Sequence, residues 1–314
     1  MKHEAKQIIL GTATYFPPLV KMLRRGTGGT DSARYCYSVW LRHLLMADAN
    51  GLNSHPKIVA ELGPGDSLGI GLAALLSGSE QYFAFDVVEF AETERNLKIF
   101  DDLVGLFERR EAIPGPDEFP EVKPYITDYA FPVHIFSEER LAHSLQPQRL
   151  QKIRDALKNV QSAESMIQYK VPWFDRGVLQ KGSIDMIYSQ AVLEHVDDLQ
   201  NSYEAMYDWL SPHGFLSHQI DFRCHGTAVD WNGHWAYSDF VWKLIRGNRS
   251  FLLNRAPFSE QVRQIEAAGF KIVCEKRAEL PSEITRDQLA GRFRGMTDAD
   301  LVTGGAFIQA VKAS

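Results

Sequence analysis

The segment from Val59 to Gly69 constrains the fold of this chain more than any other. It reads Val-Ala-Glu-Leu-Gly-Pro-Gly-Asp-Ser-Leu-Gly: an apolar run ends at Glu61, a turn contains Gly63 and Gly65, and an apolar helical pattern follows. Glycines after a strand allow a ligand to approach the backbone closely, and the N-terminus of the next helix favours polar or negative ligand groups. The segment therefore predicts a strand, a ligand-binding turn and a helix in succession.

A second apolar run, from Tyr82 to Phe85, ends in Asp86, 23 residues beyond Gly63. An acidic residue at roughly this distance from a glycine turn, at the end of the next strand, can bind a ribose diol. Ser67, inside the turn, belongs to the same predicted site. The two segments together predict a cofactor that contains a nucleoside.

Strands and helices alternate along the chain from residue 56 onward. Seven apolar runs predict strands at 57–62, 81–86, 166–171, 184–189, 214–220, 270–275 and 305–311. Amphipathic patterns typical of helices lie between several of these runs. Such alternation is typical of an α/β fold with a mostly parallel sheet and helices on both of its faces.

Three regions stand outside this alternation. Residues 1–55 predict a helical lead-in, or lid, ahead of a main domain at 56–314. Insertions at about 111–165 and 221–257 interrupt the pattern inside that domain. Inserted segments over a parallel sheet commonly shape the ligand site, so we expect both insertions to contribute to it.

Charge and composition argue against several kinds of partner. The 314 residues carry a net charge of -6, which argues against binding to the phosphate backbone of a nucleic acid. No apolar run approaches the roughly 18 residues of a membrane helix, and the N-terminus does not resemble a signal peptide. The three cysteines are far apart and form neither a disulfide framework nor a zinc motif. We expect a cytoplasmic protein with no nucleic-acid or membrane partner.

Four segments resemble, in order, the motifs of the class I S-adenosylmethionine-dependent methyltransferases, in particular the small-molecule group of methyltransferase type 11. They are the glycine turn at 61–69, Asp86, the fourth-strand segment 182–196, and 210–216, where His213 replaces one of the two glycines usual after the proline. The resemblance implies a Rossmann-like sheet of seven strands whose last strand runs antiparallel. The lead-in and the second insertion are also similar to those of bacterial methyltransferases, some of them thought to act on sugars or polysaccharides.

The resemblance implies S-adenosylmethionine as the cofactor and S-adenosylhomocysteine as its product. In this family the acid at Glu61 bounds the methionine end of the cofactor, whereas a nicotinamide loop does not require an acid there. A nicotinamide-binding Gly-x-Gly-x-x-Gly pattern also places a glycine where this chain has Leu68, and the glycine here falls one residue later, at Gly69. These two features favour the methyl donor over a dinucleotide.

The remaining predicted cofactor contacts follow the third and fourth strands. The family places the adenine pocket after the third strand, where Trp173 is the candidate to cover the ring, although an aromatic residue there is more often part of the core. Ser189 and Gln190 follow the fourth strand. Because ligands of an open parallel sheet bind outside the carboxyl ends of its strands, we expect both residues near the cofactor.

Candidate catalytic residues follow the fourth and fifth strands. His195 is the first candidate for a general base, because an imidazole with a pKa of about 6.5 accepts a proton near neutral pH; alternatively, it only packs against a neighbouring loop. Asp221, just past the fifth strand, is the second candidate. Together with Glu194 these residues offer ligands for a divalent cation, but their spacing matches no metal motif, and we predict no metal site.

Acceptor contacts are predicted for Glu194, Arg223, His225 and Trp235, since such side chains suit hydroxyls, carboxylates and sugar faces. The preferred interpretation is methyl transfer to a small-molecule substrate, at a hydroxyl of a sugar, a polysaccharide precursor or a secondary metabolite. Two alternatives stay open: N-methylation of a small amine, and a non-catalytic module that binds S-adenosylmethionine for assembly. A homodimer through the aromatic residues of 231–242 is also open.

Overall fold

The seven predicted strands form one sheet. The computed structural model describes residues 2–15, 29–173, 175–249 and 251–313. The strands are β1 (Ile58–Leu62), β2 (Gln81–Phe85), β3 (Ile167–Lys170), β4 (Ile184–Gln190), β5 (Leu210–Asp221), β6 (Phe270–Glu279) and β7 (Thr303–Lys312). Their order across the sheet is β3-β2-β1-β4-β5-β7-β6.

The direction of the strands confirms the predicted fold. β7 is antiparallel to both of its neighbours, β5 and β6, whereas the other pairs are parallel. Six strands therefore share one direction, and the sheet is Rossmann-like with an antiparallel last strand, as predicted. In such a sheet ligands bind outside the carboxyl ends, where the strand order reverses. Here that point lies between β1 and β4.

Helices cover both faces of the sheet. They are α1 (Lys2–Ala13), α2 (Ala33–Ala49), α3 (Gly69–Leu76), α4 (Thr93–Glu108), α5 (Glu138–Ser144), α6 (Pro147–Leu157), α7 (Leu199–Trp209), α8 (Asp239–Arg246), α9 (Phe258–Ala267) and α10 (Asp298–Val302). Successive strand residues point to opposite faces, so Val59 is buried in one core with α2, α3 and α4, and Ala60 in the other with α7 and α9. Within the described residues, no helix is both long enough and apolar enough to span a membrane.

The two helices of the lead-in contact different parts of the molecule. Ser32 caps α2 by accepting a hydrogen bond from the amide of Tyr35, and α2 packs against α3 and α4. Helix α1 packs against α8 in the second insertion, where a Cβ on Gly11 would overlap the carbonyl of Ile245. Residues 16–28 of the predicted lead-in lie outside the described residues.

The first insertion packs mainly on the outer side of the helices. Its α5 contacts α3, and its α6 contacts α4 and β3. Its loop accepts hydrogen bonds from the buried guanidinium of Arg42 in α2, at the carbonyls of Val122 and Pro124. The insertion therefore supports α2, and the part of it that reaches the carboxyl ends of the strands is Glu121. This corrects the expectation that the insertion as a whole shapes the ligand site.

The second insertion is tied to the turn that follows β4. The amide of Asn254 donates to the carbonyl of Glu194 at 2.7 Å. The side-chain amide of Asn254 donates to the carbonyls of Leu193 and Val196 at 2.8 and 2.7 Å. This insertion therefore contacts the carboxyl end of β4, and its contribution to a ligand site stays a prediction.

Candidate functional site

The glycine turn lies directly against the segment that follows β4. Gly63 and Gly65 have φ values of 62° and 74°, in the left-handed region that glycine adopts without strain. A Cβ on Gly63 would lie 2.6 Å from a methyl carbon of Val192. The turn therefore needs glycine at Gly63 for its conformation and for this close approach, which joins the carboxyl ends of β1 and β4.

Asp86 lies at the end of β2 with its carboxyl beside the same turn, and it is 7% exposed. Its Oδ1 accepts a hydrogen bond from the amide of Val87 at 2.7 Å, and the amide of Val88 lies 3.4 Å away. Burial raises the pKa of Asp86, and hydrogen bonds from these amides and from Gly65 oppose the rise. Backbone amides therefore fix the orientation of the carboxyl.

Ser67 joins the turn to the lead-in. Its hydroxyl donates to the carbonyl of Thr30 and accepts from the amide of Gly69 at 3.0 Å. The amide of Ser67 donates to the hydroxyl of Thr30 at 3.3 Å. Because its polar atoms bind the protein, Ser67 closes the lead-in over the turn. This corrects its expected role as a direct cofactor contact.

Glu61 is buried beneath the turn between two tyrosines. The hydroxyls of Tyr82 and Tyr188 both donate to its Oε2, at 2.5 and 3.1 Å. Burial raises the pKa of Glu61 to about 7, although both hydrogen bonds act to lower it. The carboxyl therefore links β1, β2 and β4 below the cofactor turn.

Trp173 is half-buried near the end of β2. Its ring centroid lies 5.5 Å from those of Phe85 and Trp209, and its amide donates to the carbonyl of Asp86 at 3.3 Å. One part of the indole is therefore core, and the accessible part lies beside the predicted ribose site.

The two predicted contacts at the end of β4 lie beside different histidines. Ser189 is fully buried, with its Oγ 2.8 Å from Nδ1 of His218. Gln190 is half-buried, and its side chain lies close enough to the buried His43 of α2 to oppose, through a hydrogen bond, the lowering of the pKa of that histidine by burial. Ser189 therefore faces His218, and Gln190 faces His43.

Five predicted residues come together at the carboxyl ends of β4 and β5: Glu194, His195, Asp221, Arg223 and His225. We call them the polar cluster. The Nε of Arg223 lies 2.9 Å from Oδ1 of Asp221 and its Nη2 lies 2.6 Å from Oδ2. The Nε2 of His225 lies 3.2 Å from Oδ2. Burial alone would raise the pKa of Asp221, but hydrogen bonds from His225 and Arg223 outweigh it and hold this pKa below its usual range.

Arg223 is also held by a residue that the sequence analysis missed. Its Nη1 lies 2.5 Å from Oε2 of Glu121 in the first insertion. Hydrogen bonding to Asp221, supported by Glu121, raises the pKa of Arg223 above its usual value. Glu121 and Arg223 are 102 positions apart, and no local pattern marks the pair. The guanidinium is therefore committed to two carboxylates of the protein.

His195 packs against His225, with ring centroids 5.2 Å apart. Its Nδ1 is buried without a hydrogen-bond partner. Burial, assisted by the nearby His225, lowers the pKa of His195 to about 4. The ring is therefore neutral near neutral pH, but it is a weak base.

Glu194 is 3% exposed, and no side chain donates to its carboxyl oxygens, although the backbone amides of Glu194 and Asp221 lie near them and act to lower its pKa. Burial raises the pKa of Glu194 well above its usual range. Leaving a buried polar group unpaired is costly, so such groups in proteins usually bind a ligand or an ordered water. Glu194 therefore marks a place where a polar ligand group fits.

Trp235 does not belong to this surface. It is 0% exposed, its indole N–H donates to the carbonyl of Arg255 at 3.0 Å, and its ring packs against His234 with centroids 4.6 Å apart. A fully buried indole has no surface with which to contact a substrate. This corrects the predicted acceptor role of Trp235.

The carboxyl ends of β1, β2 and β4 fit a nucleoside cofactor with a polar tail. Asp86 and the glycine turn lie side by side, and Gln190 ends the neighbouring strand β4. Within the described residues, no group of three or more His, Cys, Asp or Glu side chains is arranged to hold a metal ion.

A separate groove of about 1000 Å³ lies between the start of α2 and α4. Charges of both signs line it, among them Arg34, Glu94, Arg95 and Lys98. The described lining includes none of the predicted site residues. The groove is therefore distinct from the carboxyl ends of the strands.

Residues 138–217 match the model of a known protein family, described as a methyltransferase domain. The match includes β3, β4 and the segment with Glu194 and His195. Among curated proteins, none is similar enough in sequence to count as a relative.

Solved structures with a similar fold include three methyltransferase structures. A complex of the Haloferax volcanii Trm112 methyltransferase activator with a methyltransferase is 11% identical, covering 88% of this chain and 90% of that one, with a TM-score of 0.41. Haemonchus contortus phosphoethanolamine N-methyltransferase 2 with S-adenosyl-L-methionine is 12% identical, covering 88% and 53%, with a TM-score of 0.43. An S-adenosylmethionine-dependent methyltransferase from Mesorhizobium loti is 13% identical, covering 81% and 90%, with a TM-score of 0.38. At these values the likeness says nothing about the acceptor of this chain.

The family match and the topology of the sheet agree on the class of protein. Residues 138–217 match a methyltransferase domain, and the sheet has the strand order and the antiparallel last strand predicted for one. Both findings agree with the predictions of a methyltransferase, of an enzyme and of S-adenosylmethionine as its cofactor.

Proposed function

We propose that this enzyme methylates a hydroxyl oxygen of a small, polar, uncharged molecule, such as a sugar, a polysaccharide precursor or a secondary metabolite. The observation that carries the proposal is the position of the polar cluster. It follows β4 and β5, and Val192, two residues before Glu194, touches the glycine turn. Donor and acceptor groups therefore meet at this junction.

The donor side consists of Gly63, Gly65, Asp86, Trp173 and Gln190. Asp86 would hold the ribose, Trp173 would cover part of the adenine ring, and Gln190, at the end of β4, would lie near the amino group. When bound, S-adenosylmethionine supplies a methyl group on a positively charged sulfur. The protein contributes alignment and the exclusion of water, which account for much of the rate in such displacements.

If the methyl group is transferred to a hydroxyl, a residue near the substrate must take up the proton of that hydroxyl. The pKa of Asp221 lies below its usual range, so this carboxylate is a weak base. We therefore replace the predicted base role of Asp221 with an orienting role. His195 stays a candidate base, although its lowered pKa makes it a weak one, and His225, whose ring packs against it, is a further candidate.

The charges around the cluster support an acceptor without negative charge. The single guanidinium of Arg223 is shared by the carboxylates of Asp221 and Glu121. It therefore has little capacity for a phosphate or carboxylate on the acceptor, which the two carboxylates would also repel.

The carboxyl of Glu194, to which no side chain donates, favours a second candidate, a small amine. A carboxyl that lacks a side-chain partner can accept a hydrogen bond from an ammonium group as readily as from a hydroxyl. The two candidates differ in the atom that gains the methyl group, so identifying the methylated product distinguishes them.

Isothermal titration with S-adenosylmethionine, followed by incubation with methyl-labelled donor and a panel of small alcohols, sugars and amines, tests the proposal. We expect binding, and transfer of label to a hydroxyl compound. Transfer to amines alone supports the second candidate, and binding without transfer to any compound supports the non-catalytic module. Absence of binding at high micromolar donor contradicts the assigned cofactor site.

We also propose a homodimer, through the exposed part of the range 231–242 and the neighbouring α1. Trp235 and Trp242 in that range are 0% and 7% exposed, whereas Phe240 on α8 and Ile9 on α1 are 72% and 67% exposed. Light scattering after size-exclusion chromatography tests it, and the mass of a single chain contradicts it.

A further inference from the structure

His225 lies in a turn with an unusual backbone. The amide of Thr227 donates to the carbonyl of Cys224 at 2.9 Å, and the two residues between them, His225 and Gly226, have φ values of 47° and 77°. Two positive φ values in a closed four-residue turn are the pattern of a type I′ turn. A histidine in this region of φ is uncommon, and its surroundings hold it there. Such strain often accompanies function.

Asp221 orients the ring of His225. Its Oδ2 lies 3.2 Å from Nε2 of His225, and Arg223 fixes the carboxylate through two nitrogens. A carboxylate on one ring nitrogen holds the proton there and leaves the other nitrogen, Nδ1, as the acceptor. The His225 side chain is 30% exposed, so part of the ring is accessible to a ligand.

Helix α1 contacts the same turn through two side chains. The side-chain amide of Gln7 donates to the carbonyl of Gly226 at 2.9 Å, and Nε2 of His3 lies 3.1 Å from the same oxygen. Gln7 is buried, although 219 positions separate it from Gly226. The close packing of Gly11 against α8 holds the helix in this place.

We propose that α1 is a positioning element for catalysis: Gln7, assisted by His3, holds the turn so that His225, oriented by Asp221, acts as the general base. This inference rests on the proposed function. In the step, the O–H bond of the acceptor breaks and its proton moves to Nδ1 of His225. The acceptor oxygen forms a bond to the methyl carbon, and the electron pair of the broken carbon–sulfur bond stays on sulfur.

Charged and titratable groups face His225 from several elements. Asp221 and Arg223 come from the end of β5, and His195 comes from the turn after β4. His234 comes from the second insertion, and His3 comes from α1. Among these, Asp221 is the carboxylate in contact with the ring, which makes the state of the ring nitrogens a direct measure of its orientation.

Nuclear magnetic resonance of the full chain labelled with ¹⁵N-histidine tests the inference without a known acceptor. Signals of His225 are assigned by their loss in His225→Asn. In wild type at alkaline pH we expect a protonated Nε2 and an unprotonated Nδ1. The variant Gln7→Met keeps the shape but removes the donor, and we expect it to give a mixture of both tautomers. Lys6→Ala, exposed on the same helix, is the matched control and leaves the spectrum unchanged.

Two results overturn the inference. A protonated Nδ1 in wild type removes His225 as the base, and a Gln7→Met spectrum identical to wild type removes the positioning role of α1. If Gln7→Met does not fold, His3→Phe, which removes the other contact at an accessible position, provides the same comparison. Failure of the proposed function is separate, because it appears as absence of S-adenosylmethionine binding or of methyl transfer in wild type.

Discussion

The half of the site at β1 and β2 and the half at β4 and β5 are held in place by different kinds of contact. At the ends of β1 and β2, backbone amides and glycine conformations shape the site. Gly63 and Gly65 adopt positive φ, and the amide of Val87 donates a hydrogen bond to Asp86. At the ends of β4 and β5, the side chains of the polar cluster hold one another. Glu194 and His195 there retain buried polar atoms without side-chain partners. In the proposed function the first half binds the methyl donor, and the second half receives the acceptor.

This difference bears on which ligand each half of the site can recognise. A site formed by backbone atoms needs only a short segment of sequence. Many proteins that bind the same cofactor can therefore share it. A side-chain site depends on contacts between distant segments, such as Arg223 with Glu121 and Gly226 with Gln7. We therefore propose that the side chains of the acceptor half determine which molecule is methylated.

The largest effect is expected at the base. His225→Gln removes the ring that accepts the proton, and general bases typically contribute about 10²–10⁴-fold to the rate. Single-turnover methyl transfer to the hydroxyl compound found in the panel should fall by that factor, while donor affinity measured by titration stays within about twofold. A rate within about threefold of wild type would remove His225 from the mechanism.

Replacing Glu61 tests whether burial of its carboxyl makes the unfolding free energy depend on pH. Its pKa rises on folding from 4.5 to about 7, so the folded state binds more protons than the unfolded state between these values, and stability falls as pH rises through this window. Glu61→Gln removes that dependence. Between about pH 5 and about pH 8, wild type should lose roughly 2–3 kcal/mol of unfolding free energy relative to the variant.

Urea unfolding of both proteins at each pH provides this difference and cancels the titration of the buried histidines, which the two proteins share. A difference that does not change with pH would show that Glu61 is already ionised in the folded protein at the lower pH.

Asp86→Ala tests the ribose assignment. Hydrogen bonds to a charged group contribute about 1.5–3 kcal/mol, so the dissociation constant for S-adenosylmethionine should rise about 10–100-fold in titration. Asp102→Ala, an exposed acid of α4 that lines the separate groove, is the matched control and leaves affinity unchanged. Equal affinity of Asp86→Ala and wild type would place the ribose elsewhere.

The smallest effect is expected at Ser67. Ser67→Ala removes the hydroxyl contacts with Thr30 and Gly69 and should lower the unfolding free energy by about 1 kcal/mol. Donor affinity should change by less than about threefold, because the hydroxyl binds the protein. Ser162→Ala, at an exposed position, is the control in thermal unfolding. A loss of affinity as large as that of Asp86→Ala would restore Ser67 as a direct cofactor contact.

The sequence predicts the sheet well because its signals are local. Each strand is an apolar run bounded by turn residues, and the antiparallel β7 follows from the family resemblance. The glycine turn and Asp86 are local as well. The predictions for Ser67 and Trp235 were wrong because spacing does not reveal which polar atoms are already bonded or which aromatic rings are buried. Glu121 and Gln7 were missed because only the folded chain brings them to the cluster.

The central claim is that the glycine turn and Asp86 hold the donor while the polar cluster faces its reacting end. A crystal structure with S-adenosylhomocysteine tests this most directly. We predict the ribose hydroxyls on Asp86 and the sulfur on the side of His195 and His225. A cofactor lying in the groove between α2 and α4, or one whose sulfur points away from the polar cluster, would contradict the account.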